Sequence, residues 1–211
     1  TKAVYLEDWA RAEGRAFLRF DYSGHGESSG SFTEGCIGDW HEDTLAAVAA
    51  LTEGPLIVVG SSMGGWQALL LARHLPERIA GLVGIAAAPD FTEDGYWANF
   101  TEAQKQTLAE VGQVELPSDY MEPYVITRRM IEDGRKRLVL REALDLPFPV
   151  RLLQGTADTA VSTATAVRLL EHAQSPDMQL TLVKDADHRF SDARCLAMIV
   201  AAINEVSGKE G

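Results

Sequence analysis

The sequence predicts an α/β fold, a mainly parallel sheet with helices on both faces, and three observations predict it. Short apolar runs alternate with stretches of helical periodicity along most of the 211 residues. One G-x-S-x-G, Gly60-Ser61-Ser62-Met63-Gly64, lies between an apolar run (Leu56 to Val59) and a helical one (Trp66 to Leu75). Loops bearing Ser, Asp and His follow the apolar runs, which is where a parallel sheet gathers its functional groups. With 46% hydrophobic residues the chain has enough apolar side chains for a buried core, and one domain with an insertion accounts for its length.

Taken in order, Lys2 to Glu13 carries Tyr5, Leu6, Trp9 and Ala12 at helical spacing and stops at Gly14. Arg15 to Asp21 is short and aromatic-rich, the pattern of a strand, and runs into the turn-forming segment Tyr22 to Gly30. Trp40, Thr44, Leu45, Val48 and Leu51 form one helical stripe that Gly54-Pro55 ends. After the strand at Leu56, the run Gly65 to Leu75 is apolar nearly all round, as suits a helix buried under a sheet, and Pro76 halts it. Ile79 to Ala88 is a continuous apolar run and predicts a strand covered on both faces.

From residue 90 to 146 the regular alternation lapses. Trp97, Phe100, Tyr120, Tyr124 and Met130 stand there among scattered charges. The segment is too long for an ordinary connection, so a helical cap is expected at 90–146, inserted into a core made of 1–89 and 147–211. Its aromatic residues are expected mostly to pack the cap. Val150 to Gln154 then predicts a strand, Val161 to Ala173 a helix capped by Ser162, and Met178 to Lys184 a strand. Asp192 to Val206 predicts a last helix, capped by Ser191, with Leu196, Ile199, Val200 and Ile203 on its buried face.

A serine on a sharp strand-to-helix turn has its side chain thrust out of the sheet, in a strained backbone that leaves room only for small neighbours such as Gly60 and Gly64. The helix that begins there aims its free N–H groups at the same point, so an oxyanion formed by attack of Ser62 on a carbonyl meets donors. Ser61 has the wrong spacing to the glycines. A serine hydroxyl needs a base, and the base needs a partner that fixes its tautomer. Asp158, in the loop Gly155-Thr156-Ala157-Asp158, and His188, in Asp185-Ala186-Asp187-His188, complete the chain order Ser…Asp…His. Asp185 and Asp187 are too near His188 on one loop to hold its ring from behind, and Asp90 is the better understudy. His25 lies in a glycine-rich turn and is expected to stabilise it, while Arg128, Arg129, Arg135, Lys136 and Arg137 read as a solvated helix face.

A net charge of −12 disfavours nucleic acid and anionic membrane surfaces as partners. Cys36 and Cys195 match no metal or redox spacing, and no phosphate-binding glycine loop or metal-ligand cluster is present, so no cofactor or metal is expected. Free thiols, with no apolar run long enough to span a bilayer and no signal peptide, lead to the expectation of a soluble cytoplasmic protein.

Gly60-Ser61-Ser62-Met63-Gly64-Gly65-Trp66, Phe20-Asp21-Tyr22-Ser23-Gly24, Gly155-Thr156-Ala157-Asp158 and Asp187-His188-Arg189 together resemble the alpha/beta-hydrolases, and within them the branch of palmitoyl-protein thioesterases that also cleave acyl-glucuronides. The resemblance runs through nearly all of the chain and is weakest in the cap. It implies a serine hydrolase with Ser62, Asp158 and His188 as the triad, Met63 N–H in the oxyanion hole, no cofactor, and small-molecule esters or acylated proteins as substrates. The alternatives are a non-catalytic ligand-binding relative or inactive fragment and, within the fold, a serine peptidase. In the family a strand and a small-residue loop precede the first helix seen here, and that loop gives a second oxyanion donor. Neither is in this sequence, which opens on Thr1. In the family's strand order the strand lies between those at Arg15–Phe20 and Leu56–Val59, so both are expected to carry unpaired backbone groups, costing about 1–3 kcal/mol each where buried. A truncated record, unstable or weakly active alone, is the expectation that follows.

Overall fold

The structure, a computed structural model, describes residues 1–117 and 123–208. Its helices are α1 (Lys2–Ala12), α2 (Ile37–Leu51), α3 (Met63–His74), α4 (Glu102–Val111), α5 (Arg128–Gly134), α6 (Thr163–His172) and α7 (Ala193–Val206). The strands are β1 (Leu56–Ser61), β2 (Ile79–Ile85), β3 (Gln113–Leu116), β4 (Tyr124–Thr127), β5 (Leu144–Asp145), β6 (Val150–Gly155), β7 (Ala173–Gln174) and β8 (Met178–Val183). Two compact units result: one of Thr1–Phe20, Ala47–Pro89 and Val139–Gly211, the other of Asp21–Ala46 and Asp90–Leu138.

The first unit is built on a parallel sheet in the order β1-β2-β6-β8. Apolar side chains of high β-propensity dominate these strands, and the ladder brings their carboxyl ends level: Ser61 lies opposite Ile85, Ile85 opposite Leu153, and Gly155 opposite Val183. On one face Val83, Ile85, Leu153 and Val183 pack with Leu6 of α1 and with Cys195, Ile199, Ile203 and Val206 of α7. Alternation along the strands turns Leu82 and Leu152 to the other face, and both are buried. Helix α3 is buried continuously from Gly65 to Ala72, which is why its sequence is apolar on every side.

Three expectations are corrected here. Arg15 to Asp21 belongs to no strand, because a strand exists only with a ladder partner and none of the described residues offers one; Phe17 and Phe20 are exposed. Strand β1, as expected, has β2 on one side and, among the described residues, no strand on the other. Helix α7 is capped by Asp192 rather than Ser191: the Asp192 carboxylate accepts the Cys195 N–H at 2.8 Å. Its buried stripe is accordingly rotated, with Cys195, Ala202 and Val206 joining Ile199 and Ile203 while Leu196 and Val200 flank it. Ser162 does cap α6, accepting from Thr165 N–H.

The second unit contains more than helices. Gly112 ends α4, and β3 and β4 then form an antiparallel pair with Val114 opposite Ile126. Thr127 caps α5. Phe100 and Met130 are buried, whereas Tyr124 is exposed; Tyr120 lies outside the described residues. The arginines of α5 and its end pair with carboxylates: Arg129 with Asp39 at 2.7 Å, Arg135 with Glu93 at 2.6 Å, and Arg137 with Asp133 at 3.7 Å. In the loop after Asp21, His25 Nδ1 bonds the Ser23 carbonyl, and the ring stands edge-on to Tyr22, Phe32 and Trp40.

Candidate active site

Ser62 follows β1 directly and opens α3 with φ 56° and ψ −122°. A non-glycine residue in that region costs about 1–3 kcal/mol, so its surroundings must hold it there. They do so from both sides. Ser62 N–H donates to the Ile85 carbonyl at 3.0 Å, and its own carbonyl accepts from Ala88 N–H at 3.1 Å and Gly65 N–H at 2.9 Å. A Cβ on Gly60 would come within 2.3 Å of the Gly64 carbonyl oxygen, which is the close approach that the G-x-S-x-G spacing anticipates.

The Ser62 hydroxyl occupies the cap position of α3 yet makes no capping hydrogen bond. It lies 3.1 Å from His188 Nε2 instead. His188 Nδ1 is 2.9 Å from Asp158 Oδ2, so the ring donates from Nδ1 and accepts from the serine at Nε2. Asp158 follows β6 and His188 follows β8, and the loops carrying them are stitched together. Thr156 N–H donates to the Val183 carbonyl, Ala157 N–H to the Ala186 carbonyl, and Asp185 N–H to Thr156 Oγ1. The carboxylate bonded to His188 is thus the one from the other strand end. Asp187, on the histidine's own loop, turns Oδ1 to Phe190 N–H.

The Asp158 side chain is fully buried, while the His188 side chain keeps 32% of its exposure. Burial alone would raise the Asp158 carboxyl. Hydrogen bonds from Val161 N–H, His188, Ala160 N–H and the Gln154 amide outweigh it and hold the carboxyl below its usual range. Met63 is the first residue of α3, so its N–H has no acceptor within the helix and stands at the positive end of the helix dipole beside Ser62. The four residues singled out in the sequence therefore lie together in one unit.

Two contributors to this geometry escape the motif. Gly155 is the point where the β6 and β8 ends touch: a Cβ there would sit 2.1 Å from the Ala186 carbonyl oxygen. Gln154 is a polar residue at the end of an apolar strand and is 1% exposed. That break in an apolar run is the signal for it. Among the described residues no group of three or more His, Cys, Asp or Glu side chains is arranged to hold a metal ion, and no helix is long and apolar enough to cross a membrane.

Comparison with known proteins adds three findings. The family model of the alpha/beta hydrolase fold matches residues 6–129. The rat mitochondrial palmitoyl-protein thioesterase ABHD10 is 34% identical over 210 residues, 99% of this chain and 70% of the relative. Among solved structures, a protein from Agrobacterium vitis S4 superposes with a TM-score of 0.94 at 41% identity, over 98% of this chain and 82% of that one. Mouse alpha/beta hydrolase domain-containing protein 10 does so with a TM-score of 0.89 at 34% identity, over 98% and 83%. The cytoplasmic location expected from the sequence is overturned, because the rat and human relatives are mitochondrial by name. The state of cysteine thiols bears on reducing against oxidising surroundings, and not on one reducing compartment against another.

Proposed function

Because the chain belongs to the alpha/beta hydrolase fold family, we propose that it cleaves carboxylic esters or thioesters through an acyl-enzyme on Ser62. Hydrolysis of an ester or thioester as the class of reaction follows from its relatives, and neither the ligand-binding nor the peptidase alternative gains from them. The observation that carries the assignment of residues is the unbroken relay from Ser62 Oγ through His188 to Asp158, at 3.1 and 2.9 Å.

In this mechanism His188 Nε2 takes the hydroxyl proton as Ser62 Oγ bonds to the substrate carbonyl carbon. Asp158 stays ionised and supports the imidazolium through the Nδ1–H bond. Negative charge on the carbonyl oxygen is met by Met63 N–H. Collapse of the tetrahedral intermediate breaks the carbon–sulfur or carbon–oxygen bond, and the leaving group takes the proton from Nε2. Water, deprotonated by the same nitrogen, then releases the acid.

The rat relative's name supports acylated protein as the substrate class, with small acyl esters as the simpler case. For domain organisation, a core of 1–89 and 147–211 with a cap at 90–146 remains our proposal. Turnover of acyl-cysteine thioesters from acetyl to palmitoyl, by the chain and by Ser62→Ala, tests the reading. The substitution is expected to lower kcat by roughly 10⁴-fold or more. Undiminished turnover in the variant would exclude Ser62 as the nucleophile.

A further inference from the structure

We propose that Gln154 is a positioning residue for this hydrolysis, its buried side-chain amide holding the Asp158 carboxylate against the His188 imidazole. The inference rests on the reading of Ser62, His188 and Asp158 as the relay. Gln154 is the penultimate residue of β6, four positions before Asp158, and its Nε2 lies 3.0 Å from Asp158 Oδ2, 3.0 Å from the Val161 carbonyl and 3.2 Å from the Gly155 carbonyl. All three neighbours are acceptors, so only the NH₂ end of the amide fits there and the orientation of the group is determined.

The opposite end of the same amide is buried without a partner. A side chain of this shape chosen for packing alone would be apolar, since a dry amide oxygen is a net cost. What offsets that cost is at Asp158. Oδ1 accepts Ala160 N–H and Val161 N–H, both at 2.8 Å, and Oδ2 accepts Gln154 and His188. Without Gln154, Oδ2 would keep His188 as its one donor among the described residues, and the negative charge now shared with the amide would fall on the imidazole. The imidazolium would then be held more tightly, and the base would become available only at higher pH.

Other charges near the relay are not altered by a change at 154. Asp158 faces neutral donors apart from His188. On the histidine's own loop, Asp185 is anchored by its N–H to Thr156 and Asp187 by its carboxylate to Phe190 N–H, while Lys2 of α1 interacts with Asp187, Arg189 and Cys195. A displaced pH profile therefore reports the Asp158–His188 couple.

The test uses the 211-residue chain with a p-nitrophenyl acyl ester, comparing Gln154→Met, Asp158→Asn and the double variant. Gln154→Met keeps the length of the side chain and removes the donor. The expected result is a kcat lowered about 10- to 100-fold with KM within about twofold, an acid limb of kcat/KM moved to higher pH, and no further loss when Gln154→Met is added to Asp158→Asn. An unshifted profile, or losses that simply multiply in the double variant, would overturn the proposal and leave Gln154 a packing residue. Full activity in Asp158→Asn would instead overturn the relay beneath it. Should Gln154→Met not fold, the side-chain amide protons of the unaltered protein give a second reading by NMR. They are expected to be protected from exchange and to shift with the titration of His188, and amide signals that ignore that titration would overturn the proposal.

Discussion

At the scale of single residues, Gly155 carries a burden that its place beside Asp158 in the sequence does not reveal. The β6 and β8 loops approach so closely there that a methyl group would sit 2.1 Å from the Ala186 carbonyl oxygen, a backbone atom that cannot step aside. Gly155→Ala is expected to destabilise the protein by about 1–3 kcal/mol, as overpacking does, and to weaken the Asp158–His188 contact. Thermal unfolding and ester turnover check it. A variant as stable and as active as the original would show that the loops can part without consequence. Ser62, Asp158, His188 and Met63 were legible because each obeys a local rule of spacing or chain order. Gly155 was not, because its constraint comes from a residue about 30 positions away, and Gln154 showed only as a polar break in an apolar run, its partner lying within a buried carboxylate's own shell.

Among the elements, those whose patterns are decided locally were readable from the sequence. The apolar run that became β2 and the all-round apolar α3 are buried where expected, since burial on both sides leaves no polar position in the pattern; β8, at the sheet edge, alternates and keeps Leu182 exposed. The misreadings occur where a distant partner decides. Arg15 to Asp21 has strand composition, yet composition does not supply a neighbouring strand. The β3–β4 pair was hidden in a stretch read as helical, because four-residue strands are too short for an alternation to stand out. Ser191 and Asp192 are adjacent capping residues, and which of them closes α7 depends on which carboxylate or hydroxyl meets the Cys195 N–H.

For the whole molecule, titration of buried groups limits stability at both ends of the pH scale. Burial pushes the Cys36 and Cys195 thiols from 9.0 to about 11, and it raises Tyr22 and Tyr96 as well. The folded state thus holds protons that the unfolded chain releases first, and stability is lost as pH rises from 9.0 through about 11. Asp158 is lowered, so its contribution is present above the ordinary carboxylate value and is lost as pH falls through the depressed one. Urea melts are expected to show a plateau at roughly pH 5–8 with a fall on each side, and Cys36→Ala with Cys195→Ala should flatten the alkaline fall. An alkaline limb unchanged by removing both thiols would contradict this account. The central claim is that Ser62 is activated by His188 and Asp158. Intact-mass analysis after exposure to a fluorophosphonate, on the chain and on Ser62→Ala, tests it most directly. The account predicts a single covalent adduct on the chain and none on the variant; a folded chain that takes no adduct, or a variant that takes the same one, would contradict it.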